Sequence, residues 1–263
     1  MLKPVAVACL AAWPCLSAAQ EKPKAAHGAH WSYEGAGDPS HWSKLSKDFV
    51  TCGVGHEQSP IDIVTGKAAP LSKGTAGFDE VRFDPTVRRA PVVIINNGHT
   101  IQVDAVGTES LTIGNAPYIL QQFHFHSPSE HTVDGRSYPL EAHLVHQSAD
   151  SKLAVVGVLF EEGAENRALA PFWKSLPKSA GDKVVLGSDG VNVGPMLPGR
   201  HEVYRYAGSL TTPPCSEAVK WFVMADRLKA SAAQIAALKA IVHVNNRPVQ
   251  PLLGRAVYKD TLH

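Results

Sequence analysis

The stretch Gln122-Phe123-His124-Phe125-His126 (QFHFH) alternates aromatic rings with imidazoles, and Glu141–His146 (EAHLVH) soon returns two more histidines among aliphatic residues. In an extended strand, side chains i and i+2 share a face, so Gln122, His124 and His126 project together while Phe123 and Phe125 turn the other way. The same period groups Glu141, His143 and Val145 on one face of the later segment and leaves Ala142, Leu144 and His146 on the other. If the intervening SPSEHTVDGRSYP brings the chain back as an antiparallel neighbour, His143 reaches the point at which His124 and His126 aim. Asp134 and Gly135 supply turn chemistry for that return.

Three neutral imidazoles with a fourth position open to water suit catalytic zinc, whereas structural zinc is usually closed by four ligands and often uses cysteine. A ligating histidine normally has its second ring nitrogen fixed by an acceptor. Gln122 and Glu141, each two residues ahead of a proposed ligand and on its face, are placed to serve.

Around this constellation the chain reads as short strands separated by turn residues: VVIINNG, IQVDA, LTIG, ILQQFHFH, EAHLVHQ, KLAVVGVLF, HEVYRYAGSL and AVKWFVM. Helical signals are few. SAAQIAALKAIV has Ser231 as a cap with Gln234 three residues on; ENRALAPFWKSL is a second candidate, broken by Pro171. From Trp31 onward no composition shift or repeat marks a boundary, so residues 31–263 are expected to form one sheet-dominated domain with small helices.

The 263 residues are 44% hydrophobic and 19% charged, enough to bury a substantial core, and the net charge of +1 is scattered. No basic stripe exists to engage nucleic acid. Residues 1–19, with one lysine, a short apolar run and small residues at Ser17 and Ala19, have the layout of a secretory signal peptide; residues 20–30 read as a flexible polar leader containing His27 and His30. No later stretch is long and apolar enough for a membrane-spanning helix. Export, to a bacterial periplasm or the medium, would leave Cys52 and Cys215 as an even pair, which suggests a disulfide, with two buried thiols as the alternative.

FHFH, SEHTVDG, EAHLVH, LAVVGVLF, SLTTPPCSE and NNRPVQPLLGR, preceded by HWSYEG and QSPIDI, resemble the alpha-class carbonic anhydrases from about Trp31 to Arg255, and the exported bacterial members most of all. The resemblance implies a central ten-stranded, mostly antiparallel twisted sheet. It implies His124, His126 and His143 as ligands of one zinc ion, which lowers the pKa of bound water to about 7 and so permits hydration of carbon dioxide to bicarbonate. Thr211 matches the threonine that orients the reacting oxygen, Glu130 its glutamate partner, and Thr212 a neighbour touching substrate or inhibitor. His99, in NNGHTIQV, matches a proton-shuttling histidine. Tyr33, Asn97, Gln102 and Gln122 would order the relay waters, and Val145, Val155, Leu210, Val219 and Trp221 would form the apolar wall beside the metal. His131 and His146 match structural positions. The cysteine pair matches the bacterial members too, as do sensitivity to sulfonamides and anions and, by analogy, a homodimer.

One departure is visible. Only Ser127 and Pro128 separate His126 from Ser129, fewer than in the animal enzymes, so the rim of the site is expected to differ. Esterase activity is an expected side reaction. The rival from another class is a non-catalytic binding module of the same fold, which arises when ligand histidines are lost; here all three are present.

Overall fold

The computed structural model describes residues 30–84, 92–106, 108–187 and 194–263. The signal-peptide and leader readings, His27 included, fall outside them except at His30. Fifteen strands are present among the described residues: β1 (Asp62–Ile63), β2 (Ala69–Pro70), β3 (Val81–Asp84), β4 (Val92–Asn96), β5 (Ile101–Asp104), β6 (Ser110–Ile113), β7 (Ala116–His126), β8 (Thr132–Val133), β9 (Leu140–Ser148), β10 (Leu153–Glu162), β11 (Lys183–Leu186), β12 (Glu202–Gly208), β13 (Val219–Met224), β14 (Leu228–Ala230) and β15 (Tyr258–Thr261). Four short α-helices accompany them: α1 (Trp42–Leu45), α2 (Thr51–Val54), α3 (Ala170–Trp173) and α4 (Ala232–Val242). No helix among the described residues is long and apolar enough to cross a membrane.

A thirteen-stranded sheet follows the path β11-β4-β5-β7-β9-β10-β13-β12-β15-β2, with β3, β6 and β14 joined beside it. Its hairpins pair antiparallel, but β10 pairs parallel with both β13 and β14, and β15 with β2. The sheet is therefore mixed rather than mostly antiparallel, and ten strands describe only its main path. The cause is connectivity: the chain leaves β10 through α3, β11 and β12 before β13 lies down beside it, and such a long crossover allows a parallel neighbour.

The alternating pattern sorts as the period-2 rule requires. Phe123, Phe125, Leu144, Val156 and Phe222 enter one large core, while Val155, Val219 and Trp221 join a second cluster with Val145 and Leu210 at its edge. Phe123 and Phe125 are fully buried and meet edge-on, 5.8 Å between ring centres; burying each contributes about 1.5–3 kcal/mol. Both faces of the central strands are thus covered, so shifting β7 by one residue would drive its imidazoles into the apolar core.

The return from β7 to β9 turns on Asp134 and Gly135, both left-handed (φ 50° and 75°). Asp62 Oδ1 braces it, accepting from Thr132 Oγ1 (2.6 Å) and the Gly135 N–H (2.9 Å). Helix α4 carries the expected capping box of Ser231 and Gln234. The other helical reading needs correction. Pro171 lies in the first turn of the four-residue α3 and does not interrupt a longer helix, because its missing N–H is harmless only there.

Candidate metal centre

Strands β7 and β9 pair antiparallel with His124 opposite His143 and His126 opposite Glu141. One nitrogen from each of His124, His126 and His143 lies within 4.8 Å of the others. His126 and His143 are buried, and His124 is half-exposed.

Each ring is held by its other nitrogen. His124 Nδ1 is 2.9 Å from Gln122 Oε1, His143 Nε2 is 2.8 Å from Glu141 Oε1, and His126 Nδ1 is 2.7 Å from the backbone carbonyl of Asn245. The first two acceptors are those that strand period supplied. The third was missed, because a main-chain carbonyl has no signature in sequence. His126 Nε2, facing the other two rings, has no hydrogen-bond partner although it is buried. Loss of hydration holds the His126 imidazole down at about 4, and loss of hydration together with neighbouring imidazoles also depresses His124 and His143. Three unprotonated rings with free nitrogens aimed at one point are what a tetrahedral zinc site requires, so these residues fit the metal.

Glu141 ties the centre to its surroundings. Its Oε1 accepts from His143 and His131 (2.8 and 2.7 Å), and its Oε2 from the N–H groups of Glu130 and His131 (2.8 and 2.9 Å). Burial pushes the Glu141 carboxyl up, but His131 and His143 outweigh it and hold the group well below the usual range. His131 Nε2 lies 2.7 Å from the Tyr206 hydroxyl, which donates to Ser59. Gly157, opposite His143, is another residue missed: a Cβ there would lie 3.1 Å from Glu141 Oε1.

Glu130 is buried beside the three rings, its Oε2 3.5 Å from His126 Nε2 and 3.8 Å from His143 Nδ1. Oε1 accepts the Arg247 N–H (2.8 Å), and Oε2 has no well-formed hydrogen bond, although the Thr211 hydroxyl is near enough to favour its charge. Burial raises its carboxyl to about 7, offset in part by His143, the Arg247 N–H and the Thr211 hydroxyl. Thr211 is itself buried, and the Thr212 carbonyl accepts from the Cys215 N–H (2.8 Å).

Cys215 is joined to Cys52 across 163 residues, with Cα atoms 5.0 Å apart. The disulfide packs against Trp42, with Trp31 and Tyr33 alongside, and thereby staples the N-terminal segment to the loop carrying Thr211 and Thr212. The predicted wall residues Val145, Val155, Leu210, Val219 and Trp221 share one apolar cluster, and the Trp221 ring lies 4.8 Å from that of His143.

His99 stands apart on the turn between β4 and β5. Asn97 Oδ1 accepts the N–H groups of His99 and Thr100 (both 2.9 Å), and Gly98 takes the left-handed conformation the turn needs (φ 86°). The His99 ring stacks on Trp31, 3.8 Å between centres and 9° from parallel, a contact that spacing could not foretell. Burial, then the nearby His30, lowers its pKa. Asn97 Nδ2 donates to Gln102 Oε1 (3.4 Å), and Gln102 pairs with His124 across β5 and β7. Burial, then Glu130, raises the Tyr33 hydroxyl well above its usual range.

The model of the eukaryotic-type carbonic anhydrase family matches residues 37–261. Carbonic anhydrases of Pectobacterium carotovorum and Klebsiella pneumoniae are 43% and 45% identical, over 89% of this chain and 92% and 93% of theirs. The alpha-carbonic anhydrase of Thermovibrio ammonificans, solved with the inhibitor sulfanilamide, superposes with a TM-score of 0.81 at 40% identity, over 88% of this chain and 99% of that one. Those matches, spanning the strands that carry the three imidazoles, make this chain a member of the eukaryotic-type, or alpha, carbonic anhydrase family.

Proposed function

We propose that the chain reversibly hydrates carbon dioxide to bicarbonate and a proton with one zinc ion held by His124, His126 and His143. The observation that carries this is the convergence of three buried or half-buried imidazoles, each fixed through its outer nitrogen, on a point where His126 Nε2 has no hydrogen-bond partner. When bound, zinc supplies the Lewis acidity that makes water nucleophilic near neutral pH.

The remaining steps belong to the chain's own groups. With Glu130 Oε1 occupied by the Arg247 N–H, an ionised carboxylate leaves Oε2 to accept the Thr211 hydroxyl proton. The Thr211 lone pair then faces the reacting oxygen and fixes its orientation, because a carboxylate can only accept. A cation among the rings would bring the Glu130 carboxyl back down from about 7, keeping it ionised in the working enzyme. The wall of Val145, Val155, Leu210, Val219 and Trp221 holds carbon dioxide, which offers no strong hydrogen-bond donor or acceptor, and Thr212, next to Thr211 in the chain, would touch substrate or inhibitor. His99 takes the released proton at an imidazole nitrogen through waters ordered by Tyr33, Asn97, Gln102 and Gln122, then passes it to buffer. The same centre would hydrolyse activated esters slowly and bind sulfonamides. The Cys52–Cys215 bond supports an exported protein, its signal peptide removed, whose residues 31–263 act as one domain behind the flexible leader.

Stopped-flow hydration of carbon dioxide, before and after chelation and zinc add-back, tests the reading. Activity should vanish and return with the metal. Zinc-replete protein without activity would replace this proposal with the non-catalytic binding module.

A further inference from the structure

We infer that Asn245 and Thr100 are positioning residues that lock the turn carrying His99 onto the ligand strand β7 through one shared acceptor, the carbonyl of Phe125. This rests on the roles proposed above for His99 and zinc. Phe125 lies between His124 and His126, and its carbonyl accepts from Thr100 Oγ1 (2.5 Å) and Asn245 Nδ2 (3.0 Å). Two donors fill both lone pairs of that oxygen. The Phe125 N–H in turn donates to Thr100 Oγ1 (3.3 Å).

The Asn245 side chain is fully engaged. Its Oδ1 accepts the Ser127 N–H (2.8 Å), which fixes the amide's orientation, and its Nδ2 also donates to the His99 carbonyl (3.1 Å). Its own carbonyl receives His126 Nδ1. One fully buried residue thus touches the shuttle turn, the peptide between two ligands, and a ligand ring.

The need for such a lock lies in the sheet. Pairing of β5 with β7 runs from Asp104↔Gln122 to Gln102↔His124 and stops there. Beyond it the turn is braced internally by Asn97, but those bonds tie the turn to itself and not to the ligand strand. Without Thr100 and Asn245, the span from His99 to the three imidazoles would vary as the turn rocked. Proton transfer through a water chain depends on that span, whereas attack on carbon dioxide does not.

The test compares Thr100→Val, Thr100→Ser and Asn245→Ala; the last keeps the backbone carbonyl that holds His126. In metal-free protein, amide hydrogen exchange at Gly98, His99 and Thr100 should quicken about tenfold or more in Thr100→Val and Asn245→Ala, and stay near wild type in Thr100→Ser. In zinc-loaded protein, kcat in weak buffer should fall about fivefold or more and recover with added imidazole, while kcat/KM, which excludes steps after product release, falls by less than about twofold in Thr100→Val. Unchanged exchange overturns the inference, as does faster exchange with unchanged kcat, or a parallel fall of kcat and kcat/KM without imidazole rescue. Should Asn245→Ala fail to fold, the two Thr100 variants decide. Absence of hydration in the wild type would instead defeat the proposed function, and the exchange data would still judge the lock.

Discussion

His143 and His146 stand three residues apart on β9, both buried and each bonded to a buried glutamate, Glu141 and Glu109. Strand parity sends them to opposite faces. His143 joins two other imidazoles beside the polar web of Glu141, Glu130 and His131. His146 enters the apolar side with Glu109, across from Leu120, and its Nδ1 and Glu109 Oε2 have no partner. Burial and a carboxylate partner are therefore not what makes a ligand. Convergence of free nitrogens from two strands, β7 and β9, is what sets the proposed ligand apart.

That contrast breaks if removing the two histidines has like effects. His143→Ala should abolish hydration and sharply weaken zinc, while His146→Phe retains one zinc per chain by metal analysis; near-normal zinc in His143→Ala would refute the ligand assignment. Glu141→Gln, which removes the charge behind His143 but preserves shape, should lower zinc affinity or turnover by about 10–100-fold, read by competition with a chelator. On the other face the expected change is in stability. His146→Phe strands the Glu109 carboxylate in the core and should cost about 3–5 kcal/mol in urea unfolding, most of it recovered in the double variant with Glu109→Leu.

The smallest expected effect is a pH dependence. The unfolded chain takes protons at imidazoles near pH 6.5, whereas folded His126 takes one only near 4, and His124 and His143 are likewise depressed. Their contribution to stability is complete above about pH 6.5 and is lost as pH falls toward 4. Glu130 acts oppositely: its carboxyl, raised from 4.5 to about 7, gives stability that is lost as pH rises through that window. The metal-free protein should therefore lose stability on acidification with a shallower slope than three histidines alone would give. Glu130→Gln should steepen it. Unfolding midpoints at pH 7.5 and 5.5 check both, and an unchanged slope would remove Glu130 from the balance.

Much of this was legible in advance, and the reason is periodicity. The strands expected around QFHFH and EAHLVH appear as β7 and β9, the helix expected from Ser231 appears as α4, and Gln122 and Glu141 stand behind the rings they were paired with. The mixed direction of the sheet was not legible, since strand sequence does not encode which way a distant neighbour runs. Nor was the place of Pro171, whose helix-breaking and helix-starting roles look alike in a string.

The sequence by itself determined which faces carry imidazoles and which carry apolar rings, because side-chain alternation in a strand is a local geometric rule. Tertiary structure alone decided that the Asn245 carbonyl holds His126, that the Arg247 N–H occupies Glu130, that Gly157 leaves room for Glu141 and that Trp31 backs His99. Three of those four contacts use main-chain atoms or the absence of a side chain. Such groups are nearly identical at every residue, so only the folded path of the chain gives them a place.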